Sequence, residues 1–132
     1  MIRYSSLGMV SLLAACATVA PAGPVTGSWG GRHVGLVLTT EGGTLDYDCA
    51  AGRIDGPVMV GPDGRFAGQG THTPGMGGPE REGEVRPSYP AHYSGSVRGD
   101  RMILRVDVPA KGFVIGPYEL RRGADPILMR CL

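Results

Sequence analysis

From Arg101 to Val108 the chain alternates strictly. Met102, Leu104, Val106 and Val108 fall on one side, and Arg101, Ile103, Arg105 and Asp107 on the other. A period of two is the signature of an extended strand with one face buried. The pattern recurs at Val34, Leu36 and Leu38, opposite His33, Gly35 and Val37. It recurs again at Leu45, Tyr47 and Cys49, opposite Thr44, Asp46 and Asp48. No segment repeats apolar residues at helical spacing. Short alternating strands bury their faces either sheet on sheet or in a sheet closed on itself.

Turn signals separate the runs at short intervals: Glu41-Gly42-Gly43, Gly61-Pro62-Asp63-Gly64, Gly99-Asp100 and Gly123-Ala124-Asp125-Pro126. The spacing predicts strands over 32–40, 43–50, 53–60, 64–73, 90–98, 101–109, 112–122 and 126–132. The expected fold class is all-β, a small eight-stranded antiparallel up-and-down barrel, whose closure removes exposed edges. Gly68, Gly70, Gly95 and Gly116 suit tight strand bends. One connection is long: residues 74–89, rich in Gly, Pro and Glu, read as a mobile loop.

Composition narrows the partners. Thirteen basic and twelve acidic side chains leave no positive excess to grip nucleic acid. There is no phosphate-binding glycine loop followed by lysine, no Gly-x-Ser-x-Gly elbow, and no zinc-ligand spacing. The sequence therefore implies neither cofactor nor metal. Arg98-Gly99-Asp100 reads as a hairpin turn, and Asp46 and Asp48, two apart on one strand, read as its wet face.

The first residues read as an address. Arg3 supplies a short positive region, and Leu7, Met9, Val10, Leu12 and Leu13 an apolar stretch too short to span a bilayer. Leu13-Ala14-Ala15-Cys16 resembles the bacterial lipobox. That resemblance implies cleavage before Cys16 and a diacylglycerol on its sulfur. The expected organisation is a signal peptide over 1–15, a lipidated flexible tether over 16–27, and a barrel domain over 28–132. Loss of Arg3 leaves equal numbers of acidic and basic side chains, so the membrane anchor would be the acyl chains and not a polybasic patch. By the same resemblance, Ala17 and Thr18 in place of an aspartate after the cysteine imply the outer membrane.

With Cys16 acylated, Cys49 and Cys131 are left in an oxidising compartment, and a disulfide is their natural pairing. It would pin the last strand to the second. A closed loop of about 80 residues implies about 4 kcal/mol in the chain-entropy account.

Gly27-Ser28-Trp29 resembles the G-x-W motif that opens the first strand of calycins, the lipocalin and avidin-like barrels. The resemblance implies an arginine from the last strand packed on Trp29. Arg130 is the candidate, with Arg121 or Arg122 as substitutes. Trp29 is out of phase with Val34 and Leu36 within a single strand unless Gly30-Gly31 forms a bulge. A wider pattern resembles a group of uncharacterised bacterial secreted domains. It runs through Trp29-Gly30-Gly31 with His33, Tyr47-Asp48-Cys49-Ala50 with Gly52, Tyr93-Ser94-Gly95, Gly99-Asp100 and Cys131-Leu132. At the level of fold alone, small lipoprotein barrels that inhibit lysozymes are similar in size, lipobox and disulfide.

The candidate ligand-binding residues are His33, His72 and His92, one on each of three expected strands, with Tyr93 beside His92. The chain reads as an envelope-anchored, non-enzymatic binding module for a small apolar ligand or an envelope protein partner such as a hydrolase. The alternatives are a passive structural envelope protein with a filled barrel, or an enzyme that uses the histidines. An enzyme would need one of them within hydrogen-bond reach of a carboxylate in a concave site.

Overall fold

A computed structural model describes residues 23–75 and 82–131, together with the isolated positions Gly8 and Ser11. Cys16, the rest of the expected signal peptide and residues 17–22 lie outside the described residues, as do residues 76–81 of the expected mobile loop. The strands are β1 Gly23–Pro24, β2 Gly27–Gly31, β3 Val34–Thr39, β4 Gly42–Tyr47, β5 Ala50–Asp55, β6 Met59–Val60, β7 Arg65–Pro74, β8 Tyr89–Arg98, β9 Arg101–Val108 and β10 Phe113–Arg122. A single 3-10 turn, Pro109–Lys111, leads into β10. Eight strands close into an antiparallel barrel in the order β2-β3-β4-β5-β7-β8-β9-β10, with β10 returning to β2. This is the expected all-β, eight-stranded up-and-down barrel.

The inward faces follow the period-two reading. Val34, Leu36 and Leu38, then Leu45 and Tyr47, then Met102, Leu104, Val106 and Val108 are all buried. At one end, the floor, β1 pairs with β6, and the backbone N–H of Val25 donates to Val58 O at 2.8 Å. Both valines join the core, so this end is covered. Of the expected tether, residues 23–27 therefore carry structure. The opposite end, the mouth, collects the β2–β3, β4–β5, β7–β8 and β9–β10 connections.

Several boundaries differ from expectation. The run 32–40 yields one strand, β3, which starts at Val34; β2 precedes it, and the two form a hairpin around Arg32-His33 with Trp29 opposite Leu36. The phase conflict at Trp29 disappears because the chain reverses there, and no bulge is required. The run 43–50 breaks at Asp48-Cys49, a second two-residue hairpin turn. The run 53–60 breaks after Asp55, where Gly56 takes a positive φ of 74°.

The expected last strand, 126–132, is not a strand of the barrel. The eighth strand is β2, too short and glycine-rich to show alternation. Residues 123–131 instead form a strap along the outside of β2. Gly123 N–H donates to Ser28 O, Ile127 N–H to Gly31 O, and His33 N–H to Ile127 O. Its only ladder contact among the described residues is a parallel bridge between Arg32 and Ile127. The strap lies flat because Gly30 and Gly35, which face each other across β2 and β3, have no side chains there. A Cβ at Gly30 would sit 2.1 Å from Ala124 O, and one at Gly35 2.9 Å from the Pro126 ring.

The Cys49–Cys131 disulfide is present, with Cα atoms 4.7 Å apart. It does not join two strands, as expected, but clips the end of the strap to the β4–β5 turn. Arg130 does not pack on Trp29. Arg122 does: its guanidinium lies 4.3 Å from the indole centroid and donates to Thr26 O at 3.0 Å. The buried indole N–H donates to the same carbonyl at 3.3 Å. Arg122 ends β10 opposite Trp29, whereas Arg130 is carried away by the strap.

Two outcomes are expected in urea unfolding. Cys131→Ser lowers stability by about 2–4 kcal/mol, because the reduced chain regains the entropy of the closed loop. Gly30→Ala costs about 1–3 kcal/mol by overpacking the strap. In the Cys131→Ser background that cost shrinks, since a released strap no longer presses on position 30. Additive costs would contradict a seated strap.

Candidate functional site: the open mouth of the barrel

Trp29, Leu36, Met102, Leu104 and Leu120 are among the side chains that fill the interior. Above them, at the mouth, lies a cavity of about 460 Å³. Its walls are Tyr47, His72, Phe113, Ile115 and Tyr118, and its rim includes Asp48 and Lys111. Cavities of this size with mostly apolar and aromatic walls and few polar groups suit small ligands. A smaller depression on the outer wall, about 290 Å³ between Val37 and Arg53, holds no aromatic side chain.

Each wall residue is placed by its strand. Tyr47 is the last inward residue of β4, and His72 an inward residue of β7. Strand β10 contributes Phe113 and Ile115 on odd positions but Tyr118 and Leu120 on even ones. The switch comes from a slip in its pairing with β9 between Ile115 and Tyr118. Gly116 takes a φ of 89° at the slip, where a Cβ would approach Leu104 O to 2.8 Å. The bulge thus turns more large side chains inward than strict alternation allows. The rings form a chain: Tyr47 to His72 at 5.8 Å between centroids, His72 to Phe113 at 6.0 Å edge-on, and Tyr47 to Tyr118 at 6.3 Å. Phe113 remains 41% exposed, a large apolar ring left open to the cavity.

Two polar atoms beneath these rings are enclosed and unpaired, the Tyr47 hydroxyl and His72 Nδ1. Tyr93, directly below, donates its hydroxyl to Thr71 O at 2.6 Å. Burial pushes the Tyr47 phenol far above its ordinary range, with Tyr93 and then Tyr118 adding to the effect. Burial also raises Tyr118, with a smaller contribution from the Asp48 charge, and it lowers His72. His72 is therefore held neutral.

The rim carries a clasp. Asp48 Oδ1 accepts the backbone N–H of Met129 at 2.5 Å, and Oδ2 is bonded to His33 Nδ1. The Met129 bond holds the Asp48 carboxyl below its ordinary range against the opposing effect of burial, with a lesser contribution from His33. His33 and Cys49 both sit at positive φ, 71° and 54°. Such backbone is costly for residues other than glycine. Here the strap holds both, His33 through Ile127 O and Cys49 through the disulfide.

The expected ligand-binding residues thus occupy different places. His72 lines the cavity, and Tyr93 lies buried below it. His33 is at the outer rim in the clasp. His92 is exposed on the outer face of β8, opposite Gln69 and Asp107 in register. The three histidines do not converge. A histidine and a carboxylate do meet, as an enzyme would need, but their third partner is a backbone N–H of the strap. The adjacent Cys49 sulfur is tied up in the disulfide. Asp48, expected on a wet face with Asp46, holds the strap. Phe113, Ile115, Tyr118 and Lys111 were not expected at a site. The Gly116-Pro117 pair inside an apolar run was the available signal.

Two measurements follow from the unpaired atoms. Tyr47→Phe removes an enclosed, unbonded hydroxyl and keeps the ring, so stability to urea rises by about 1 kcal/mol. A fall would mean that the hydroxyl is satisfied in solution. The lowered pKa of His72 means that the unfolded chain binds its proton first as pH falls. Stability is therefore lost as pH falls below about 6.5, the ordinary histidine value, toward the lower folded-state pKa. The lowered Asp48 adds a further loss at more acidic pH, as pH falls through its folded-state pKa. In His72→Leu the loss near pH 6.5 becomes shallower while the more acidic loss remains.

No protein-family model, curated protein or solved structure matches the chain.

Proposed function

We propose that the protein is an envelope lipoprotein anchored by acyl chains on Cys16, a non-enzymatic module that holds a small apolar ligand in the barrel mouth. The observation that carries this reading is the cavity itself, about 460 Å³ walled by aromatic rings. A passive barrel gains stability by packing its interior to the rim. Here the packing stops short, and Phe113 is left open. An exposed aromatic ring beside an aromatic-lined cavity is what a ligand would cover.

The anchor reading rests on Leu13-Ala14-Ala15-Cys16, with Ala17 and Thr18 favouring the outer membrane. Gly23, where the continuous described chain starts, lies on the floor, so a linker from Cys16 would meet the barrel at the end opposite the mouth. An anchored molecule would then turn its cavity away from the bilayer. A second reading, capture of an envelope protein such as a hydrolase, is favoured by the strap, where Ile127 and Met129 are exposed.

The test is a native mass spectrum of the protein purified gently from bacterial membranes. The expected result is an acylated chain starting at Cys16, two protons lighter for the disulfide, with a small molecule retained. An unacylated chain would overturn the anchor. An acylated chain with no passenger, together with a protein partner in pulldown, would replace the ligand reading by the second one.

A further inference from the structure

The reading of the mouth as a ligand site leaves the ligand's charge open, and the rim supplies it. Among the described residues, two formal charges line the cavity, Asp48 and Lys111. Asp48 is committed on both oxygens, one to Met129 N–H and one to His33. Its charge is directed toward the strap and has a basic partner. Lys111, the only lysine of the chain, has no carboxylate within salt-bridge range among the described residues. Its ammonium rests 4.6 Å from the centroid of the Tyr89 ring. An ammonium carries three donors, so it can keep one side on that ring and still donate to an anion.

The position of Lys111 is built in. It closes the 3-10 turn Pro109–Lys111, which ends at Gly112 in a left-handed conformation with its N–H donating to Pro109 O at 3.0 Å. Phe113, the exposed ring of the cavity wall, follows immediately. Charge and ring thus sit side by side at the entrance. The basic residue of the cavity wall, His72, is disfavoured in its charged form by burial and adds no competing charge at neutral pH.

We propose that the mouth takes a flat aromatic acid, its ring held among Tyr47, His72, Phe113 and Tyr118 and its anionic group paired with Lys111 at the rim. This rests on the mouth being the ligand site. An aromatic cage also suits an organic cation, but here such a cation would face the Lys111 ammonium, while Asp48, the carboxylate described in the lining, is already bonded.

Three probes of one shape test the proposal by isothermal titration of the full chain: naphthalene-2-carboxylate, 2-naphthylmethanol and 2-naphthylmethylammonium. The acid is expected to bind about five- to ten-fold more tightly than the alcohol, the range of a charge-assisted bond at a partly solvated rim. The ammonium probe is expected to bind most weakly. Lys111→Gln removes the preference for the acid and leaves alcohol binding unchanged, and Lys111→Arg restores it. Phe113→Ala weakens all three. Equal binding of acid and alcohol, tightest binding of the ammonium probe, or a preference that survives Lys111→Gln overturns the aromatic-acid assignment while leaving the mouth a ligand site. Binding of none of the three overturns the ligand site itself.

Discussion

An eight-stranded meander is a barrel only if its last strand finds its first, and in this chain that seam is the shortest pairing. β10 meets β2 through Arg121 with Gly30 and Arg122 with Trp29, whereas the other barrel pairings run from five to eight residue pairs. What holds the seam is the stack of Arg122 on the buried Trp29, with both side chains donating to Thr26 O. Truncating a buried aromatic typically costs about 3–5 kcal/mol. That is a large share of the 5–15 kcal/mol by which domains are usually stable. Beyond these two pairs the strap takes over, bonding the Gly31 carbonyl and the His33 N–H that β10 leaves.

The rest of the mouth depends on this arrangement. Because the strap completes the seam, its end must be fixed, and the β4–β5 turn fixes it through the disulfide and Asp48. Fixing it uses up the Asp48 carboxylate and holds His33 and Cys49 in their left-handed backbone. Of the two charged residues described in the cavity lining, Lys111 is then the one without an oppositely charged partner among the described residues. The closure of the sheet and the charge of the entrance are linked through a single acidic side chain.

Much of this was legible from residue pattern. Period-two alternation located β3, β4 and β9 and the faces they bury, because each runs long enough for the pattern to register. β2 was hidden because Gly27-Ser28-Trp29-Gly30-Gly31 has too few large side chains to alternate, and its glycines serve the strap on one side and the narrow barrel on the other. Gly31, facing inward, would bring a Cβ within 2.2 Å of Glu119 O. The terminal run 126–132 imitated a strand because an extended strap and a barrel strand share backbone geometry. They differ in what they pair with, which composition does not encode. Of the site, His72 was legible as a chemically distinctive residue. Phe113 and Tyr118 were not, since a bulge separates them and local pattern puts them on opposite faces.

On the proposed reading a small molecule binds at the mouth, and not on the outer wall or the floor. A titration with naphthalene-2-carboxylate followed by backbone amide NMR tests this most directly. Shifts confined to Tyr47, Ala50, His72, Lys111, Phe113 and Tyr118, with Val25 and Val58 on the floor unmoved, are the predicted result. Shifts centred on the floor, on the outer wall around Val37 and Arg53, or spread evenly over the barrel would contradict it.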